Sequence, residues 1–262
     1  MSRLIKIYLV FIFLHLKYLA NHKKAFIVYT FNSTFAIVIM FIWIEIAKYK
    51  SINGYTVNDF IIYYIGVVLV WRITSVIVNY EIEYLISSDF FILYLAKPIN
   101  FVHYIFPRVI AEHGILFLVF TPLILLILVY LRGLTELSPI SIALFVLCCV
   151  IGFVLEFFVQ YIISGFVFWM THSQGVVTVY EFTRAFLGGY AVPFQVLPHR
   201  LGELLIWLPF QSSVALPVEI LIGQLGVEQV VKRLGIATFW MLLAIAGSRR
   251  LWQIGLRKFM NG

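Results

Sequence analysis

GGYAVPFQVLPHRLGELLIWLPFQSSVALPVEILIG, residues Gly188 to Gly223, carries prolines at Pro193, Pro198, Pro209 and Pro217 in an apolar background. A helix needs about 20 apolar residues to cross a hydrocarbon core, and no run between these prolines is that long. The segment is read as re-entrant: it dips into the membrane from the outer side and returns. Irregular backbone at membrane depth survives only where protein or a water-lined cavity satisfies its amides, so such segments sit at pathways and gates. Phe194 and Phe210 each follow a proline here, and such rings are candidates to plug an outer vestibule.

The rest of the chain fits that setting. Of 262 residues, 63% are hydrophobic and 12% charged, and mean hydropathy is +1.01, outside the soluble globular class. The expected fold is an all-α integral membrane protein with a single domain over 1–262. Residues 1–24 read as an amphipathic helix on the cytoplasmic face. Transmembrane helices are expected at 25–47, 59–80, 103–131, 140–170, 176–192 and 227–247, with 188–223 as the re-entrant segment between the fifth and sixth. The net charge of +7 does not point to nucleic acid. Arg3, Lys6, Lys17, Lys23 and Lys24 precede the first long apolar run and Arg249, Arg250, Arg257 and Lys258 follow the last, which reads as a topology signal with both termini cytoplasmic. Lys48, Lys50, Arg132, Arg200, Lys232 and Arg233 fall in the outer loops of this scheme, and the tryptophans, Trp252 included, suit interface belts.

Chemistry is sparse. Cys148 and Cys149 are adjacent in an apolar run and read as small buried hydrophobes. The histidines have no metal-ligand spacing, and no paired-carboxylate or nucleophile-elbow motif occurs. No GxxxxGK[ST] occurs either, so nucleotide phosphates are not held by a P-loop of this chain. Four intramembrane polar residues stand out: Arg72, Glu156, Glu181 and Arg184. A charged residue at a spanning helix centre costs about 2.5–3.5 kcal/mol on insertion scales, so each needs protein, water or a counter-charge. Glu181 and Arg184, three apart, share a helix face and are expected to pair, which leaves Glu156 to meet Arg72. Two readings of Arg72 stay open, an ion pair locking helices together or a residue lining a pathway. The small residues Gly66, Ser75, Gly152 and Ser164 are candidate contacts between two copies of the bundle.

Residues 81–100 enclose the short apolar run FFILYLA between charges, which fits a helix along the cytoplasmic surface with one face open to a partner. That helix, the amphipathic N-terminus, the block GGYAVPFQVLP, LPF and LPVEILIG, and the ending RRLWQIGLRKFMNG together resemble the membrane subunits of ABC-2 type exporters, in the subgroup of short six-helix permeases. The resemblance implies a half-transporter that pairs with an identical or paralogous permease in the cell (inner) membrane. It holds no cofactor of its own, because ATP is bound by a separate cytoplasmic ATPase. Ser87, Ser88, Asp89, Phe90, Phe91, Leu95, Lys97 and Pro98 would form the coupling helix seated on that ATPase, with Phe90 and Phe91 as its docking side chains. Gly188, Gly189, Pro193, Phe194, Pro198, Pro209, Phe210 and Pro217 would form the extracellular gate. The alternatives from other classes are an integral-membrane enzyme acting on lipid, which needs clustered His, Asp or Glu at one depth, and a non-catalytic membrane scaffold.

Overall fold

Ser138 caps the 27-residue helix Pro139–Gly165: its hydroxyl accepts from the Ser141 N–H at 3.1 Å, and Pro139 supplies the first helical position, where no donor is needed. In the computed structural model, which describes residues 3–21, 34–88, 91–114, 138–170 and 172–261, every regular element is a helix. These are α1 (Arg3–Asn21), α2 (Thr34–Tyr49), α3 (Val57–Thr74), α4 (Asn79–Ile86), α5 (Phe91–Leu95), α6 (102–114), α7 (Pro139–Gly165), α8 (Gln174–Leu187), α9 (His199–Ile206), α10 (Ala215–Leu221) and α11 (Val227–Asn261). Among the described residues the β-structure is limited to an isolated bridge, Ile52 to Tyr55, closing the Asn53-Gly54 turn.

Among the described residues, three stretches are long and apolar enough to cross a membrane: Val57–Ile86, Pro139–Phe168 and Val227–Asn261. The start of the expected first crossing (25–33), residues 115–131 of the third, Arg132, and Asp89 and Phe90 of the coupling segment lie outside the described residues. Within the expected fifth crossing, α8 has 14 residues and covers about 21 Å against a hydrocarbon core of about 30 Å. It is continued by the proline-broken segment.

α7 and α11 pack along each other and bridge two apolar cores. The first joins α2, α3, α10 and the early turns of α7 and α11 around Phe60, Tyr63, Val67, Cys148, Leu216 and Val218. The second gathers α4, α5, α6 and the late turns of α7 and α11 around Ile82, Phe91, Phe101, Phe157, Tyr161 and Trp252. The chain after Gly247 continues as part of one 35-residue helix, Val227–Asn261. Trp252 is buried there, not at a lipid interface: its indole stacks on Tyr161 with centroids 4.2 Å apart and its N–H donates to the Tyr161 carbonyl at 3.0 Å. Large apolar side chains such as Phe35, Phe41, Val146, Phe182 and Leu242 face outward, which in a chain of this composition is a surface for lipid or protein.

The four small residues expected between copies are used inside the protomer. Gly66 packs on Val218, Gly152 on the Ser212 carbonyl, the Ser75 hydroxyl accepts from Arg184 at 3.3 Å, and Ser164 is buried and donates to the Gln160 carbonyl at 2.7 Å. They let the broken segment and the helices approach one another, so their smallness is spent on the protomer's own packing.

Candidate functional site

The middle of the bundle holds a buried charge cluster built from α3, α7 and α8. Glu156 and Gln160 are one turn apart on α7, and Tyr180, Glu181 and Arg184 share a face of α8. The side chain of Arg184 is 0% exposed, and its Nη1 lies 2.6 Å from Glu156 Oε1 while Nη2 is 3.5 Å from Glu181 Oε2. Its guanidinium also sits 3.8 Å from the centre of the Trp71 ring, a stacking geometry that suits a planar, weakly hydrated cation. The Tyr180 hydroxyl donates to Glu156 Oε2 at 2.8 Å and Gln160 Nε2 donates to Glu181 Oε1 at 2.6 Å. The expected Glu181–Arg184 neighbour pair is present. The expected Arg72–Glu156 pair is not: Arg184 holds Glu156, because α8 packs its buried face on α7, and Arg72 sits half-buried on α3.

The proline-broken segment packs directly against this cluster. It comprises a 3-10 turn at Phe194–Val196 after Pro193, α9 opening at Pro198, a second 3-10 turn at Pro209–Ser213, and α10, with Pro217 in its first turn. Every residue of α10 is buried. Backbone groups freed by the breaks find partners in the surrounding helices. Tyr63 donates to the Gly189 carbonyl at 2.8 Å, Tyr64 and Trp43 donate to that of Ala191 at 2.8 and 3.0 Å, and Thr74 donates to that of Ser213 at 2.7 Å. The Ala215 N–H donates to the Gly188 carbonyl at 2.9 Å, and the Ser213 hydroxyl reaches Glu156 Oε2 at 3.5 Å. Gly189 has φ +88, and a Cβ there would stand 2.7 Å from that of Ala215, so this sharp turn needs glycine on both counts.

A second buried ion pair escaped the sequence reading. Arg233 of α11 meets Glu219 of α10, and Arg233 Nε donates to Gln211 Oε1 at 2.6 Å. Arg233 is therefore not an outer-loop topology charge but a core residue, 4% exposed. The signal was a carboxylate inside LPVEILIG, which at that depth requires a cation. Nearby, the Tyr55 hydroxyl donates to Gln224 Oε1 at 2.6 Å and lies 3.2 Å from Gln195 Oε1, and burial pushes its phenol above the ordinary range. Phe194 is packed inside the protomer, with the Arg233 guanidinium 5.9 Å from its ring, and Phe210 lies half-buried 6.1 Å from Tyr180. Phe194 thus faces the protein's interior and not an opening.

At the opposite end, α4, α5 and α6 pack together. The Ser87 N–H donates to the Glu83 carbonyl at 3.0 Å, Ser88 Oγ donates to that of Leu85 at 2.8 Å, Leu95 is half-buried and Pro98 exposed, and Lys97 Nζ sits over the rings of Tyr94 and Tyr104. Phe91 corrects the sequence reading: it is fully buried, with Phe101 and Phe259 edge-on at 5.3 Å, because a five-residue helix between charged turns is anchored by its one inward ring. The apolar side chains turned outward are Tyr80, Tyr84, Ile92 and Leu93. α1 is tied to this end by Tyr8 to His103 at 2.8 Å and His15 to Glu112 at 3.0 Å. Arg108 in turn bridges Glu112 to Glu81 of α4.

Residues 7–261 match the family model described as ABC-2 family transporter protein. No curated protein and no solved structure matches the chain.

Proposed function

The chain belongs to the ABC-2 transporter family and is a multi-pass membrane permease of an ABC transporter; from that premise we propose that it is the permease subunit of an exporter in the cell membrane. It pairs with a second copy or a paralogue, and the path runs between the two. A separate cytoplasmic ATPase binds ATP and drives the change of access by tilting the halves against each other. Six crossings, with both termini cytoplasmic and the Gly188–Gly223 segment as the outer gate, complete the reading.

The observation that carries it is the family match over nearly the whole chain. It is supported by a proline-broken segment seated deep in the bundle on two buried ion pairs, since irregular backbone inside an apolar bundle accompanies a pathway or gate. The docking surface for the ATPase, in this reading, is made of Tyr80, Tyr84, Ile92 and Leu93 and not of Phe91.

Co-expression with an ABC ATPase tests it. Co-purification and a rise in ATP turnover on complex formation are expected; a permease that isolates without any ATPase and turns over lipid instead would overturn it. Leu204, exposed on α9, tests the orientation: Leu204→Cys in a cysteine-free background should react with an impermeant maleimide in intact cells, and reaction only after permeabilisation would invert the topology.

A further inference from the structure

Glu83 of α4 caps the N-terminus of α8. Its Oε2 accepts from the Ser173 N–H at 2.9 Å and from the Ser173 hydroxyl at 2.7 Å, while Oε1 lies 2.8 Å from His172 Nδ1. On the same helix, Asn79 Nδ2 donates to Gln174 Oε1 at 3.2 Å. A carboxylate here satisfies donors that the first turn leaves free and lies at the positive end of the α8 dipole, so the joint is charge-assisted and directional.

The far end of α8 is held just as firmly to the broken segment. The Gly188 carbonyl accepts from the Ala215 N–H at 2.9 Å, and Glu156, bound by Tyr180 and Arg184, is also reached by Ser213. α8 thus links α4 at one end to the proline-broken segment at the other, with α7 joined alongside it through Glu156 and Gln160. α4 shares a core with α5, and the outward side chains of these two helices are those assigned above to the ATPase.

We propose that Glu83 is a positioning residue that passes movement of the ATPase-docking helices into α8 and so to the broken segment at Ser213 and Ala215. This rests on the permease reading above. Polar contacts hold α8 at both ends and along α7, while Val179, Phe182 and Phe186 on its other side face outward. A contiguous chain of contacts proves coupling only when one link is cut and the distant response is lost.

The experiment uses the full permease–ATPase complex carrying Cys148→Ser, Cys149→Ser and Phe210→Cys, with the maleimide reaction rate at position 210 measured with and without ATP. In the parent complex ATP should change that rate by about fivefold or more, the low end of ordinary coupling strengths. With Glu83→Ala the ATPase should still co-purify and hydrolyse ATP while the rate ratio falls to about one, and Glu83→Asp should restore a response, which loss of folding alone would not permit. Should Glu83→Ala accumulate poorly, Ser173→Ala removes one donor and keeps the backbone cap, and it should reduce the ratio by about half. An unchanged ratio in either variant, a parent that does not respond to ATP, or loss of the ATPase from the Glu83→Ala complex would overturn the proposal. Failure of the parent itself to retain an ATPase would instead bring down the permease reading on which it stands.

Discussion

Arg184 and Glu156 meet at 2.6 Å in the interior of the bundle, α8 to α7, with both side chains removed from solvent. Pairs of this kind add little over a well-packed apolar alternative, but removing one partner strands a buried charge. A second buried pair joins Arg233 of α11 to Glu219 of α10, inside the broken segment.

Arg184→Gln or Glu156→Gln should therefore destabilise the protein by about 3–5 kcal/mol, read as a lowered thermal midpoint of the purified permease. Arg184→Lys should recover only part of this, because an ammonium does not reproduce the stack on Trp71. Arg72→Gln should leave the Arg184–Glu156 contact intact; if it matched Arg184→Gln in effect, the pairing described here would be wrong.

For the second pair, Glu219→Gln and Arg233→Gln combined should cost less than the sum of the two single changes, with a coupling of about 0.5–3 kcal/mol in a double-mutant cycle. Strict additivity would mean that the two side chains do not sense each other.

Ile92→Asp together with Leu93→Asp should lower ATPase recovery in co-purification while leaving the thermal midpoint of the permease close to that of the parent, since both side chains are exposed. Phe91→Ala should do the opposite and reduce stability by about 3–5 kcal/mol, the usual cost of deleting a buried aromatic ring.

Gly189→Ala adds a Cβ where φ is +88 and where Ala215 already stands. Strain and overpacking each cost about 1–3 kcal/mol, so a lowered midpoint and increased proteolysis between α8 and α9 are expected; a variant as stable as the parent would show that this turn is not tight.

Membrane character, helical class and the irregular nature of Gly188–Gly223 were legible in composition, hydropathy and four prolines, because lipid leaves a chain few ways to satisfy its backbone. The Glu181–Arg184 pair was legible too, since i,i+3 spacing is a property of one helix. The partner of Glu156, the existence of the Arg233–Glu219 pair, the inward turn of Phe91 and the burial of Trp252 were not. Each depends on which faces of separate helices meet, and hydropathy is nearly silent there because lipid-facing and protein-facing apolar residues look alike. Local spacing and solvent class are written along the chain, whereas the choice among several intramembrane carboxylates and guanidiniums follows from helix packing, in which the broken segment, wedged between α3, α7 and α11, sets who stands beside whom.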